Sequence, residues 1–329
     1  MAIPLKTRIV RRLFSLLPRA GLIPPPARPQ GISAILRVCN EVDWLEASID
    51  SVKDAVDEIV AVDTGSSDGS LEKLEKLAEK TDKLRVFRFA GKAPWDFSNF
   101  AIDKTRYRWI MKWDGDFVSF PTGGGAIAGF TEYLRALDQR MYYYVNPKLI
   151  EVTGDFYHQF PQMRVRGDME AFTFSRNAGY VPVARAPGPP FYPVKLPAGC
   201  EPSFFSIRME GVKLPFYYRI LSFKGPVGYH VNVKPGIRHL MGYFYLQWLA
   251  SEGYQRKQGL EAYVLEQVGV KWGLADLDSA AAFYMTEYVK TLVPYDKTLG
   301  ELPDNLKALA ASSPYKVIYK DGKPAGRKE

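Results

Sequence analysis

Glu58-Ile59-Val60-Ala61-Val62-Asp63-Thr64-Gly65-Ser66-Ser67-Asp68-Gly69-Ser70 runs from an uninterrupted apolar segment into a cluster of small polar residues. An apolar run of this length, bounded by a turn, reads as a strand buried on both faces. Past Ser70, Leu71, Leu74 and Leu77 form an apolar stripe among Glu and Lys, so the turn opens a helix. The same alternation repeats on both sides. Upstream, Ile32-Ser33-Ala34-Ile35-Leu36-Arg37-Val38 predicts a strand, and Leu45, Ile49 and Val52 mark a helix within residues 42–52. Downstream, residues 84–89 predict a third strand and 97–105 a short helix. A fourth strand, Tyr107 to Trp113, stops at Asp114-Gly115-Asp116. This alternation implies right-handed βαβ crossovers, and hence an α/β fold with a mostly parallel, Rossmann-like sheet flanked by helices.

Ligands of such sheets bind beyond the carboxyl ends of the strands. Asn40-Glu41, Asp63-Thr64-Gly65-Ser66 and Asp114-Gly115-Asp116 all fall at those ends. Two carboxylates one residue apart can face one hard divalent cation, and the glycine between them lets backbone and ligand approach closely.

In order and spacing, these motifs across residues 31–118 resemble the family 2 glycosyltransferases of GT-A fold. The resemblance implies transfer of a sugar from a nucleotide-diphospho-sugar donor to an acceptor hydroxyl, usually with inversion at the anomeric carbon. It implies that Asn40, Glu41 and Asp63 contact the nucleoside and that Asp114 faces the ribose and the metal. Asp116 would ligate Mn²⁺ or Mg²⁺ on the diphosphate. Asn99 falls where the family often carries an Arg-Asn pair, but Ser98 replaces the arginine here. Asn99 therefore reads either as a donor contact or as a residue of the helix surface.

A second stretch, residues 199–230, is similar to the family's acceptor-side segment, in which a Glu-Asp pair precedes an aromatic helix, an arginine and a glycine. Glu201 matches the first acid, Pro202 stands where the aspartate usually acts as base, and Phe204, Phe205, Arg208 and Gly211 keep the rest. The resemblance makes Glu201 the candidate catalytic base, with Asp168, Glu170 and Glu210 behind it. Glu201 reads equally as a charge stabilised at a helix N-terminus. His230 falls where the family often completes the metal site with a histidine; its other reading is a core imidazole. Lys234 is a candidate for the diphosphate or a surface lysine, and Arg164 a candidate on the acceptor side.

Composition sets the outer limits. A chain of 329 residues with 47% hydrophobic residues can bury a large core. Two cysteines, Cys39 and Cys200, are too few for a disulfide framework and suit a reducing, cytoplasmic compartment; Cys39 reads as packing. Of the net charge of +8, six charges lie in residues 1–30, as Lys6, Arg8, Arg11, Arg12, Arg19 and Arg28 with no acid. Residues 5–17 can form a helix with Leu5, Ile9, Leu13, Leu16 and Leu17 on one side. A basic amphipathic helix suits peripheral contact with an anionic membrane, or docking on the catalytic domain. Pro24-Pro25-Pro26 and Pro29 read as a stiff linker. Basic and aromatic residues do not interleave beyond this arm, which argues against nucleic acid.

The expected organisation is an arm and linker over 1–30, a catalytic domain over 31–235 and a helical region over 236–329. Within the catalytic domain, 31–118 would bind donor and 119–235 acceptor. Helices are expected over 237–252, 260–268 and 279–292, with a frayed tail from Lys320. The expected partners are the donor sugar and a glycan acceptor, lipid-linked or on the cell surface. The alternative is a catalytically impaired sugar-nucleotide-binding or scaffold protein of the same fold, for which Pro202 is the argument.

Overall fold

The structure is a computed structural model and describes residues 5–91, 93–120, 126–167, 169–182, 200–201, 210–249, 251 and 258–329. The chain divides into two compact units, one of Met1–Ile150 with Val165–His230 and one of Glu151–Arg164 with Val231–Glu329.

The first unit opens with helices α1 (Leu5–Phe14) and α2 (Leu16–Arg19). Then come β1 (Ile32–Val38), α3 (Leu45–Val52), β2 (Glu58–Asp63), α4 (Ser70–Ala78), β3 (Leu84–Arg88), α5 (Pro94–Lys104) and β4 (Trp109–Asp114). Proline at the start of α5 begins that helix earlier than its apolar spacing suggests, because a missing N–H costs nothing in a first turn. β5 (Phe117–Ser119), α6 (Ile127–Ala136) and β6 (Tyr142–Thr153) follow. Beyond them lie β7 (His158–Gln159), which belongs to the second unit, then β8 (Val165–Arg166), β9 (Ala171–Thr173), β10 (Gly179–Pro182), β11 (Cys200–Glu201), β12 (Glu210–Lys213) and β13 (Tyr218–Asn232).

The main sheet runs β3-β2-β1-β4-β9-β6-β13-β5, parallel from β3 to β4 and antiparallel where β4 meets β9. Alternate side chains bury its two faces. Ala34, Leu36, Ala61, Trp109, Met111 and Trp113 pack against Leu45 and Ile49 of α3, Leu74 of α4 and Phe130 of α6. Ile35, Val60, Val62 and Ile110 pack against Ala101 and Ile102 of α5. These are the helix–sheet–helix layers of an α/β fold, and the expected fold class holds.

The proline linker is docked. Tyr142 donates to the Pro24 carbonyl (3.1 Å), and Ile23 packs against the buried cluster that includes Tyr142 and Tyr218. Arg28 donates to Thr105 Oγ1 (2.9 Å) and lies 3.2 Å over the Phe174 ring. Rigid φ angles thus serve to lay residues 23–29 along the domain.

The second unit contains α7 (Gly236–Leu249), α8 (Leu260–Trp272), α9 (Leu277–Val289), β14 (Val293–Pro294) and α10 (Asp304–Ser312). Leu240, Phe244, Val264, Val268 and Ala280 form their shared core. The expected frayed tail is instead a hairpin of β15 (Lys316–Lys320) and β16 (Lys323–Lys328). Asp321 and Gly322, at φ 52° and 73°, make its two-residue turn, the pair that such a turn prefers. His158 anchors the hairpin, with Nδ1 2.6 Å from Asp155 Oδ1 and Nε2 2.7 Å from the Tyr319 hydroxyl.

Candidate active site

β1, β2 and β4 end together. Val38 is level with Asp63, and Arg37 with Asp114, so the three polar clusters share one carboxyl-terminal edge. Asn40 adopts a left-handed conformation (φ 55°), which asparagine tolerates better than most residues. Its N–H donates to Ser66 Oγ (2.8 Å), and its side-chain oxygen accepts from the Ser67 N–H (2.7 Å). The Glu41 N–H donates to Ser70 Oγ (2.8 Å). Asp63 is buried and accepts from the N–H groups of Gly65 (3.0 Å) and Ser66 (3.2 Å). The loops after β1 and β2 are thus zipped together, with Asp63 fixed at their base.

Gly115 lies close to this edge. A Cβ there would come within 3.2 Å of Glu41 Cβ and Cγ, so a side chain at 115 would require Glu41 to give by a few tenths of an ångström. The glycine of Asp114-Gly115-Asp116 therefore serves close packing between the ends of β1 and β4.

The two carboxylates of that triplet differ. Asp114 is gripped by Arg37, whose Nε donates to Oδ1 (2.7 Å) and whose second guanidinium N–H donates to Oδ2 (2.9 Å). Lys112 Nζ adds a contact to Oδ2 at 3.0 Å from a side chain only 1% exposed. Arg37 also donates to Ser98 Oγ of α5 (3.2 Å). Asp116 instead meets His230, with Nε2 3.0 Å from Oδ2. His230 is brought there by the pairing of β13 with β5, opposite Phe117, and its ring packs edge-on against Phe117.

Those distances test the site for a divalent cation. Ligand atoms about 2.1 Å from an octahedral Mg²⁺ and at right angles stand about 3.0 Å apart. Asp116 Oδ2 and His230 Nε2 have that separation, which is equally that of their hydrogen bond, so the two would share one cation by giving up that bond. Among the described residues no three His, Cys, Asp or Glu side chains group as a metal cluster. A nucleotide-bound cation needs few, because phosphate oxygens and water supply the rest.

Other residues singled out in the sequence are placed as follows. Asn99 donates from Nδ2 to the Tyr180 carbonyl (2.8 Å) and accepts from the Tyr180 N–H (2.8 Å), pairing α5 to β10. Glu170 is buried and accepts from the Tyr180 hydroxyl (2.8 Å). Glu201 is placed by its backbone in β11, opposite Val212. The Glu201 and Glu210 side chains, Asp168, Pro202, Phe204, Phe205 and Arg208 lie outside the described residues. Lys234 and Arg164 lie in the second unit, where Arg164 pairs with Asp296 at 2.6 Å. Cys39, read as packing, is exposed. Burial raises Tyr142 to about 12 and Tyr218 well above the ordinary phenol value, so both remain protonated donors rather than bases.

Arg37 and Lys112 are the residues that sequence reasoning missed. Their signal was present: a charged residue inside an otherwise apolar strand requires a buried partner.

The model of the family described as Glycosyl transferase family 2 matches residues 33–180. A search of the curated proteins finds no match. Among solved structures, the chain is similar to the mannosyltransferase PcManGT from Pyrobaculum calidifontis in complex with GDP-Man and Mn²⁺. That likeness has 14% identity and a TM-score of 0.39, covering 93% of this chain and 88% of that one. It is also similar to S. aureus TarS 1-349, at 12% identity and a TM-score of 0.36, covering 90% of this chain and 99% of that one. By the family match, the chain carries a glycosyl transferase family 2 domain over residues 33–180 and is a glycosyltransferase.

Proposed function

We propose that the chain is an inverting, metal-dependent glycosyltransferase acting on the cytoplasmic side. Its donor would be a nucleotide-diphospho-sugar and its acceptor a hydroxyl of a lipid-linked or cell-surface glycan. The observation that carries this reading is the 3.0 Å approach of Asp116 to His230 at the carboxyl end of the sheet. Asp116 and His230 would hold Mn²⁺ or Mg²⁺. When bound, the cation neutralises the charge that develops on the leaving diphosphate. Asp63, fixed by the Gly65 and Ser66 N–H groups, receives an N–H of the base, with Asn40 and Glu41 beside the nucleoside. Asp114, immobilised by Arg37 and Lys112, orders the ribose hydroxyls and stands behind Asp116. The acceptor oxygen attacks the anomeric carbon, the bond to the diphosphate oxygen breaks, and Glu201 takes the hydroxyl proton.

A panel of UDP-, GDP-, CMP- and dTDP-sugars, scored by thermal stabilisation with and without Mn²⁺ or Mg²⁺ and by nucleoside diphosphate release, tests the reading. At least one diphospho-sugar is expected to stabilise the chain only with the cation present. Asp116→Ala should abolish that dependence. Unchanged metal-dependent binding and turnover in Asp116→Ala would overturn the proposal.

A further inference from the structure

The N-terminal helices present their apolar stripe away from the domain that carries them. Ser15, between α1 and α2, is right-handed helical (φ −67°, ψ −10°), so the helical sense persists through the break. At about 100° per residue, Ile9, Leu13 and Leu16 share one side while Ser15 and Pro18 lie on the opposite side. Ser15 and Pro18 are buried; Ile9, Leu13 and Leu16 are exposed, Leu13 to 62%. Docking of the arm has thus sealed its small-residue side and left its large aliphatic side in water.

The exposed surface extends past these three residues. Phe14 is half exposed and packs 6.4 Å from the half-exposed Phe216 ring, and Leu22 is 70% exposed. The cations Arg12 and Arg19 lie within the same stretch and are exposed. Single exposed apolar residues need no explanation, but a contiguous set on one helix side marks an interaction surface.

We propose that this surface, centred on Ile9, Leu13 and Leu16, inserts into the interface of a bilayer containing anionic lipid. Charge selects that occupant. Residues 1–30 carry six cations and no acid; with Arg28 turned into the domain and Arg19 beside Asp138, the other four still bring like charges together if a second copy docks face to face. An anionic headgroup layer instead attracts Arg and Lys while the aliphatic side chains enter the acyl boundary. No described helix is long and apolar enough to cross a membrane, and the contact proposed is peripheral. The arm is clamped to the catalytic domain by Tyr142–Pro24 and Arg28–Phe174. The membrane therefore meets the domain in a fixed orientation. That the acceptor is drawn from this membrane rests on the transferase reading; the insertion itself does not.

The test uses the full chain, without donor or metal, in flotation with phosphatidylcholine vesicles with and without phosphatidylglycerol. Wild type should float with the anionic vesicles, less at high salt, and weakly with pure phosphatidylcholine. Leu13→Glu with Leu16→Glu changes two exposed positions, so thermal midpoint and nucleoside diphosphate release should stay at wild-type values. Its vesicle partition should fall by about tenfold or more, since each buried aliphatic side chain contributes over a factor of ten when fully withdrawn from water. Arg12→Glu should weaken binding to anionic vesicles only. Three results would overturn the proposal. The first is wild type that fails to float with anionic vesicles. The second is a double variant that floats as wild type does. The third is a self-association in solution that the double substitution abolishes.

Discussion

Asp114→Asn separates the two carboxylates of the strand-end triplet by what each does for stability. The substitution keeps the shape and removes the anion shared by Arg37 and Lys112. Removing one partner of a buried ion pair costs about 3–5 kcal/mol, because a charge remains in a poor dielectric. Arg37 and Asp114 retain 13% and 21% exposure, so water offsets much of the Arg37 share, leaving about 1 kcal/mol. Lys112, at 1%, has no such relief. A total near 3 kcal/mol is expected, or roughly 6–12 °C in thermal midpoint for a unit of this size. Asp116→Asn leaves the Arg37–Asp114–Lys112 cluster intact but removes a buried charge facing His230, and should cost about 1–2 kcal/mol, less than Asp114→Asn. Urea unfolding of both variants beside wild type measures the difference. A fully apolar replacement, Arg37→Met with Lys112→Met and Asp114→Leu, should recover most of the stability without restoring donor binding. Equal midpoints for wild type and Asp114→Asn would refute the reasoning, as would an Asp116→Asn loss as large as that of Asp114→Asn.

Two further outcomes follow from named residues. Glu201→Gln should lower nucleoside diphosphate release by at least about a hundredfold, the usual worth of a general base, with donor binding unchanged. Near-normal turnover would place the base elsewhere. In the second unit, burial first, then Arg327, Lys234 and Arg238, hold His239 well below the ordinary imidazole value. The native ring stays neutral while the unfolded chain takes up a proton below about pH 6.5. Stability present above that pH is therefore lost as pH falls, at up to about 1.4 kcal/mol per pH unit. Wild type and His239→Gln should show parallel stability curves above about pH 7 and converge or cross toward pH 5. A constant offset across the range would refute this assignment.

What could be read from the sequence was local. The runs at Ile32–Val38 and Glu58–Val62 declare buried strands because β-branched and apolar residues without turn formers have few other uses. Asp63, Asp114 and Asp116 were visible because polar residues ending such runs fall at the ligand edge of a parallel sheet. What escaped was set by distant pairing. Asn99 pairs with Tyr180 across 81 residues, and Arg37 reaches Asp114 across 77. Arg37, inside an apolar strand, calls locally for a partner, but no local pattern names Asp114 as that partner or Tyr180 as the partner of Asn99. The linker prolines at 24–26 predict stiffness but not the Tyr142 hydroxyl that donates to the Pro24 carbonyl. The Asp321-Gly322 turn was legible, and went unread because the surrounding lysines suggest a solvated tail.

The reciprocal Asn99–Tyr180 pair has a consequence for how two substrates would sense each other. α5 carries Asn99 beside Ser98; Ser98 receives Arg37, and Arg37 grips Asp114. Tyr180 belongs to β10, in the small β10-β12-β11 sheet that ends at Glu201. One helix is therefore bonded at adjacent residues to the strand ends proposed to bind donor and to the sheet bearing the candidate base. A displacement of α5 on donor binding cannot leave β10 in place without breaking two hydrogen bonds. Linkage then makes the effect symmetric: whatever factor the donor imposes on acceptor affinity, the acceptor returns on the donor.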